Sequence, residues 1–155
     1  MENDQICLRR DQYDPDSFFL EVLAAFVGPI ISCHLNVGSI YDLFGEEAYR
    51  SAKSFEPGEY RIVKLEMKFL QKKRRTNVKS FPICLRHDHY DPNAFFLEIL
   101  TLRDSAVACY LFVDAINDLF GNEICQKARS LASGERRIVE LEMKILNPTQ
   151  EENQE

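Results

Sequence analysis

The sequence predicts an α+β fold written twice: an internally duplicated β-β-β-α-β unit whose copies form a pseudo-twofold body. Three observations carry that prediction. Residues 6–26 recur as residues 83–103 with 13 of 21 positions identical. Residues 30–70 recur as residues 106–146 with 21 of 41 identical. Within each copy, one stretch alternates apolar and charged residues while another carries apolar residues at helical spacing. Chance does not give such agreement, so one gene segment has been duplicated.

The first element, Ile6–Arg10 and Ile83–Arg86, reads as a short strand. Tyr13-Asp14-Pro15 and Tyr90-Asp91-Pro92 follow. They read as a stiff turn, with Pro fixing φ, Asp accepting backbone N–H groups and Tyr packing over it. What comes next has two readings. An N-cap at Asp14 or Asp91 with Pro at N1 would start a helix, giving a β-α-β-α-β unit. The favoured reading is a strand that hairpins back through residues 27–29. The stretch Ile99 to Tyr110 has no helix stop signal and is rich in β formers. A one-residue difference in repeat spacing falls there, and turns absorb such changes best.

The returning strand carries Ile31, Cys33, Leu35 and Val37, matched by Val107, Cys109, Leu111 and Val113. A helical stretch follows over Ser39–Phe55 and Ala115–Leu131. Ile40, Leu43, Phe44, Ala48 and Ala52 fall on one face, as do Ile116, Leu119, Phe120, Ile124 and Ala128. Gly45 and Gly121 bend or interrupt it. The last strand is the clearest. Val63, Leu65, Met67 and Phe69 alternate with charges, and Val139, Leu141, Met143 and Ile145 do the same. The organisation expected is a unit over 1–70, a basic linker over 71–80, a second unit over 81–147 and a disordered tail over 148–155. A unit of about 70 residues buries a marginal core alone. The copies are therefore expected to shelter each other, and a homodimer would extend the same logic.

The chain has 155 residues, 45% of them hydrophobic and 28% charged, which excludes collagen-like, low-complexity and disordered classes. No apolar run approaches the ~20 residues that span a bilayer. Met1–Gln5 is polar and acidic, so no secretory leader and no membrane partner are expected. The cysteines, Cys7, Cys33, Cys84, Cys109 and Cys125, form no CxxC pair and no zinc spacing. An odd count without a leader argues for a reducing, intracellular setting, cytoplasm or nucleus, with cysteines serving as small buried hydrophobes.

No nucleophile elbow, dinucleotide fingerprint, phosphate loop or HExxH string is present, so no enzyme, cofactor or resident metal is expected. His87-Asp88-His89 is the one metal-like string. Two histidines at i, i+2 on a strand point the same way, but the first copy has Arg10-Asp11-Gln12 there. A solvated strand end is the simpler reading. Asp42, Glu47, Asp118 and Glu123 read as the wet face of the helical stretch.

Net charge is −6, placed unevenly. Residues 71–79 hold Lys72, Lys73, Arg74, Arg75 and Lys79 with no acid, while both units are acidic. Acidic units repel phosphate backbones. Lys72, Lys73, Arg74 and Arg75 suit an import signal or a phosphate contact. Together with Arg9, Arg10 and Arg86 they define the alternative function, a single-stranded nucleic-acid-binding module.

Y-x-P-x-x-F followed by strand, turn and strand in a tandem duplicate is similar to a stretch of the TATA-box-binding protein repeat. The likeness covers Tyr13–Gly38 and Tyr90–Asp114, is one of topology, and carries no function.

The copies diverge at informative places. His34 and Asn36 become Tyr110 and Phe112, and Ala25 and Phe26 become Leu102 and Arg103. Aromatic residues beside an Arg have the composition of a protein–protein contact core. The leading expectation is a non-catalytic adaptor or assembly subunit. It would bind a protein or peptide partner through a sheet edge and an aromatic patch, using Tyr110, Phe112, Leu102 and Arg103.

Overall fold

The structure is a computed structural model, and it describes residues 5–24, 28–70, 82–101 and 105–146. The linker cluster Lys72–Arg75, the pair Leu102 and Arg103 and the tail lie outside the described residues. Among the described residues twelve elements follow one another: β1 (Gln5–Arg10), β2 (Ser17–Ala24), β3 (Gly28–Asn36), α1 (Val37–Phe44), α2 (Glu46–Lys53), β4 (Tyr60–Phe69), β5 (Ile83–His87), β6 (Ala94–Leu100), β7 (Ser105–Phe112), α3 (Val113–Phe120), α4 (Asn122–Arg129) and β8 (Arg136–Ile145). The class is mixed α+β, mostly sheet. Each set of six reads β-β-β-α-α-β. Residues 17–24 and 94–100 are strands, so the β-α-β-α-β alternative does not occur.

The chain divides into two compact units. Unit 1 is Met1–Leu65 with Glu142–Glu155, and unit 2 is Glu66–Leu141. The division falls inside β4 and inside β8. In unit 1 the strands run β3-β2-β1-β4, all antiparallel. The Leu146 N–H donates to the Ile62 carbonyl at 2.9 Å, which ties the end of β8 to the start of β4. In unit 2 the order is β7-β6-β5-β8. There the Leu70 N–H donates to the Ile138 carbonyl at 3.0 Å. Unit 1 thus takes a strand segment from the far end of the described chain, and unit 2 takes the end of β4, which belongs to the first repeat.

One face of unit 1 is dry. Leu8, Phe18, Leu20, Val22, Cys33, Leu35 and Val63 project there and are buried with Ile40, Leu43, Ala48, Ala52 and Phe55 from the helical side. Phe18 and Phe55 meet edge to face at 6.2 Å. Burying each such ring contributes about 1.5–3 kcal/mol before chain entropy is set against it. Unit 2 repeats the arrangement with Leu85, Phe95, Leu97, Leu111, Ile116, Leu119, Ala128, Leu131 and Val139.

The helical stretch is two helices rather than one bent helix. Gly45 and Gly121 separate them at φ 102, a left-handed conformation with extended ψ that is nearly closed to other residues. The first helix starts at once after its strand. The first helical N–H, of Val37, is satisfied by the Asp16 carbonyl at 2.8 Å, and that of Val113 by Asn93 at 2.9 Å.

A second departure lies in the hairpins. Leu20 pairs with Cys33, but Glu21 pairs with Ile31, leaving Ser32 as an extra residue. Leu97 pairs with Cys109, and Glu98 with Val107, leaving Ala108. Each bulge shifts the alternation by one. Ile31 and Val107, expected on the dry face, therefore turn to the other face and are 56% and 55% exposed.

The cysteines do not all behave as small hydrophobes. Cys7, Cys84 and Cys125 are buried thiols. Cys33 and Cys109 are disulfide-bonded, which the expectation of a reducing setting did not foresee.

Candidate functional site

The face of each sheet opposite the helices carries the polar and aromatic residues. In unit 1, Arg9 on β1 lies opposite Phe19 on β2, and Phe19 lies opposite His34 on β3. The Arg9 guanidinium carbon sits 4.8 Å from the Phe19 ring centre, and the Phe19 and His34 rings are 5.1 Å apart. Unit 2 builds the same row from Arg86, Phe96 and Tyr110. Arg86 lies 4.6 Å over Phe96, and Phe96 is 5.3 Å from Tyr110. Phe112, two residues along β7, extends the row at 5.5 Å from Tyr110. Tyr110 and Phe112 remain 47% and 51% exposed. Val107 stands beside them on β7, brought to this face by the bulge. The result is an aromatic ladder open to solvent, whose counterpart in unit 1 ends in His34 and Asn36.

Under each ladder lies a buried carboxylate. Glu21 and Glu98 are only 4% and 3% exposed. Arg9 Nε donates to Glu21 Oε2 at 2.9 Å, and Arg86 Nε donates to Glu98 Oε2 at 2.7 Å. Arg136 adds a second cation 3.6 Å from Glu98 Oε1. The hydrogen bond from Arg9 to Glu21 holds that guanidinium still more firmly protonated than usual. The thiols of Cys7 and Cys84 lie 3.9 and 3.8 Å from the Oε1 atoms of their glutamates. Burial first, and then the Glu98 charge, push the Cys84 thiol up to about 11. A thiol so placed stays protonated near neutral pH and is a poor nucleophile. Sequence reading missed Glu21 and Glu98, since each stands alone among apolar neighbours. Its one signal was their recurrence in both copies, in Phe-Phe-Leu-Glu.

The turns that precede β2 and β6 are held by two acids each. Asp11 Oδ2 accepts from the N–H groups of Tyr13 and Asp14 at 3.0 and 2.8 Å. Asp14 Oδ1 accepts from Asp16 N–H, and its Oδ2 from the Ser17 hydroxyl, both at 3.0 Å. Those backbone bonds, the Asp14 one foremost, hold the Asp11 carboxyl below its ordinary value. Asp88 does the same for Tyr90 and Asp91. The tyrosines do not pack over the turns as expected: Tyr13 and Tyr90 are each 87% exposed.

The histidine string is not a solvated strand end. His87 is buried, stacked on Phe95 with ring centres 4.6 Å apart. Both its ring nitrogens face backbone carbonyl oxygens at 2.9 Å, so neither offers a lone pair to a metal. His89 leans on Tyr90 instead. Among the described residues no cluster of three or more His, Cys, Asp or Glu could hold a metal ion.

The strand-end arginines of the nucleic-acid reading are engaged internally. Arg9 and Arg86 serve the buried glutamates, and Arg10 bonds to the Pro15 and Phe55 carbonyls. An open acidic concavity of about 610 Å³ lies between the 14–16 turn and α1, with Asp14, Asp16 and Asp42 on its walls. Asp14 is already occupied by the turn. Among the described residues no helix is long and apolar enough to cross a membrane.

Comparison with protein-family models, with curated proteins and with solved structures gives no match to this chain.

Proposed function

We propose that the chain is a non-catalytic adaptor or assembly subunit that binds a partner protein or peptide through the ladder of unit 2. The observation that carries this reading is the exposure of Tyr110 and Phe112 beside Val107, on a face already stiffened by Phe96, Arg86 and Glu98. Aromatic rings held by a rigid sheet lose little entropy on binding, and such rings dominate contact energies. The equivalent row in unit 1 is polar at its end, so the binding surface belongs to one unit. Leu102 and Arg103, beside it in sequence, belong to the same proposed contact. The nucleic-acid alternative stands behind this reading, because Arg9, Arg10 and Arg86 already spend donors inside the units.

The test is Tyr110→Ser with Phe112→Ser. Both side chains are exposed, so the thermal midpoint should move little. A partner recovered with the wild-type chain, identified and purified, should bind the double variant at least about thirtyfold more weakly, as two anchors together carry roughly 2 kcal/mol or more. Equal affinity with intact folding removes the proposal.

A further inference from the structure

His87 occupies the place of Arg10, and the two side chains make the same pair of bonds. In unit 1, Arg10 Nε donates to the Pro15 carbonyl at 3.2 Å, and its Nη1 donates to the Phe55 carbonyl. In unit 2, His87 Nε2 lies 2.9 Å from the Pro92 carbonyl, and Nδ1 lies 2.9 Å from the Leu131 carbonyl. Pro92 matches Pro15, and Leu131 matches Phe55, at the repeat spacings of 77 and 76. The ring beneath is also shared. The Arg10 guanidinium carbon is 5.9 Å from the Phe18 centroid, and His87 stacks on Phe95 with planes 8° apart. Both side chains bridge the turn before the second strand to the turn after the second helix.

A carbonyl oxygen can only accept. A guanidinium satisfies two carbonyls with donors to spare and keeps its charge at every working pH. A neutral imidazole has one N–H, so its other nitrogen would turn a lone pair onto a carbonyl oxygen at hydrogen-bond distance. Only the doubly protonated ring makes both bonds. We propose that His87 is a proton-dependent clasp. It joins the 88–93 turn to the 131–135 turn as an imidazolium and lets go of one of them when it loses a proton. Unit 1 carries the permanent form of the same clasp and unit 2 the titratable form.

The neighbouring charges are otherwise engaged. Asp88 is held by the Tyr90 and Asp91 N–H groups, and Asp91 by Asn93 N–H. Glu135 accepts from Ala132 N–H and pairs with Arg137. His89 lies against Tyr90, and Arg86 and Glu98 pair on the opposite face. Lys127 and Arg129, at the end of α4, are exposed. None of these donates to or accepts from the His87 ring. The direction follows from the donors. Both carbonyl bonds form only on the doubly protonated ring, so one of them is absent wherever the ring is neutral.

Amide hydrogen exchange tests this inside one molecule. The Gly134 N–H bonds to the His87 carbonyl, and the Ala94 N–H to the Asp91 carbonyl. Their counterparts are Gly58, bonded to Arg10, and Ser17, bonded to Asp14. Between about pH 5 and about pH 8, the span over which an ordinary imidazole changes charge, protection at Gly134 and Ala94 should fall about tenfold, the loss of one charge-assisted hydrogen bond. Protection at Gly58 and Ser17 should hold. His87→Arg should abolish the fall while leaving His34 and His89 in place. Parallel behaviour of the two amide pairs overturns the proposal, as does a folded His87→Arg chain that keeps the fall. Should that variant not fold, the ¹⁵N shifts of the wild-type ring decide. Two protonated nitrogens at pH 5 support the clasp, and a single tautomer there refutes it.

Discussion

Glu21 and Glu98 keep charged side chains under aromatic rows, and each stays there only because arginine meets it. The two pairs differ in one respect that can be measured. Glu98 has Arg86 at 2.7 Å and Arg136 at 3.6 Å, whereas Glu21 has Arg9 alone among the described residues. Leaving a buried carboxylate without its cation costs about 3–5 kcal/mol. Arg9→Ala should therefore lower unfolding free energy in urea by about 3 kcal/mol, while Arg86→Ala, which leaves Arg136 in place, should cost clearly less. Equal losses would show that Arg136 contributes nothing to Glu98. A comparable contrast between the copies marks the proposed contact patch. His34 and Asn36 keep the row of unit 1 polar, and Tyr110 and Phe112 extend that of unit 2 into solvent. The exchange was visible in the sequence, because two polar residues had become two rings. The buried glutamates were not, since burial depends on a partner contributed by another strand.

At the scale of elements, Gly45 and Gly121 end one helix and begin the next in a conformation that a side chain resists. A Cβ at either position would meet nothing within 4 Å, so any cost comes from backbone strain alone. Gly45→Ala and Gly121→Ala should each destabilise the chain by about 1–3 kcal/mol with no change in core packing. A thermal midpoint unchanged in both would mean that the break between the helices relaxes freely. These breaks were legible, since a glycine inside an apolar helical pattern has few other uses. The strands were legible too, in the alternation of β4 and β8 and in the β formers between Ile99 and Tyr110. The bulges were not. Ile31, Cys33, Leu35 and Val37 alternate without a flaw, yet Ser32 shifts Ile31 to the open face and Val37 starts α1. Pairing partners set that register, and a single strand does not carry the information.

At the scale of the whole molecule, the compact units do not coincide with the repeats. Unit 1 takes Glu142–Leu146 from the far end of the described chain, and unit 2 takes the end of β4. A fragment ending at residue 81 holds all of the first repeat and still lacks a strand segment of unit 1. Its thermal unfolding, followed by circular dichroism, should be broad and non-cooperative, whereas the full chain should give a sharp transition. A sharp transition in the fragment would mean that the first repeat is complete in itself. The repeat boundaries were plain in the sequence because identity is a local property. The unit boundaries were hidden because they depend on which strand lies beside which.

That interleaving also sets an order of events during synthesis. When the first repeat has left the ribosome, the stretch that lines the start of β4 has not yet been translated. The nascent first half must wait, with one strand flank bare, until almost the last codons of the described region are read. The chain therefore carries an unpaired strand flank for longer during synthesis than a protein whose domains close one after another, and such flanks are where misassembly starts.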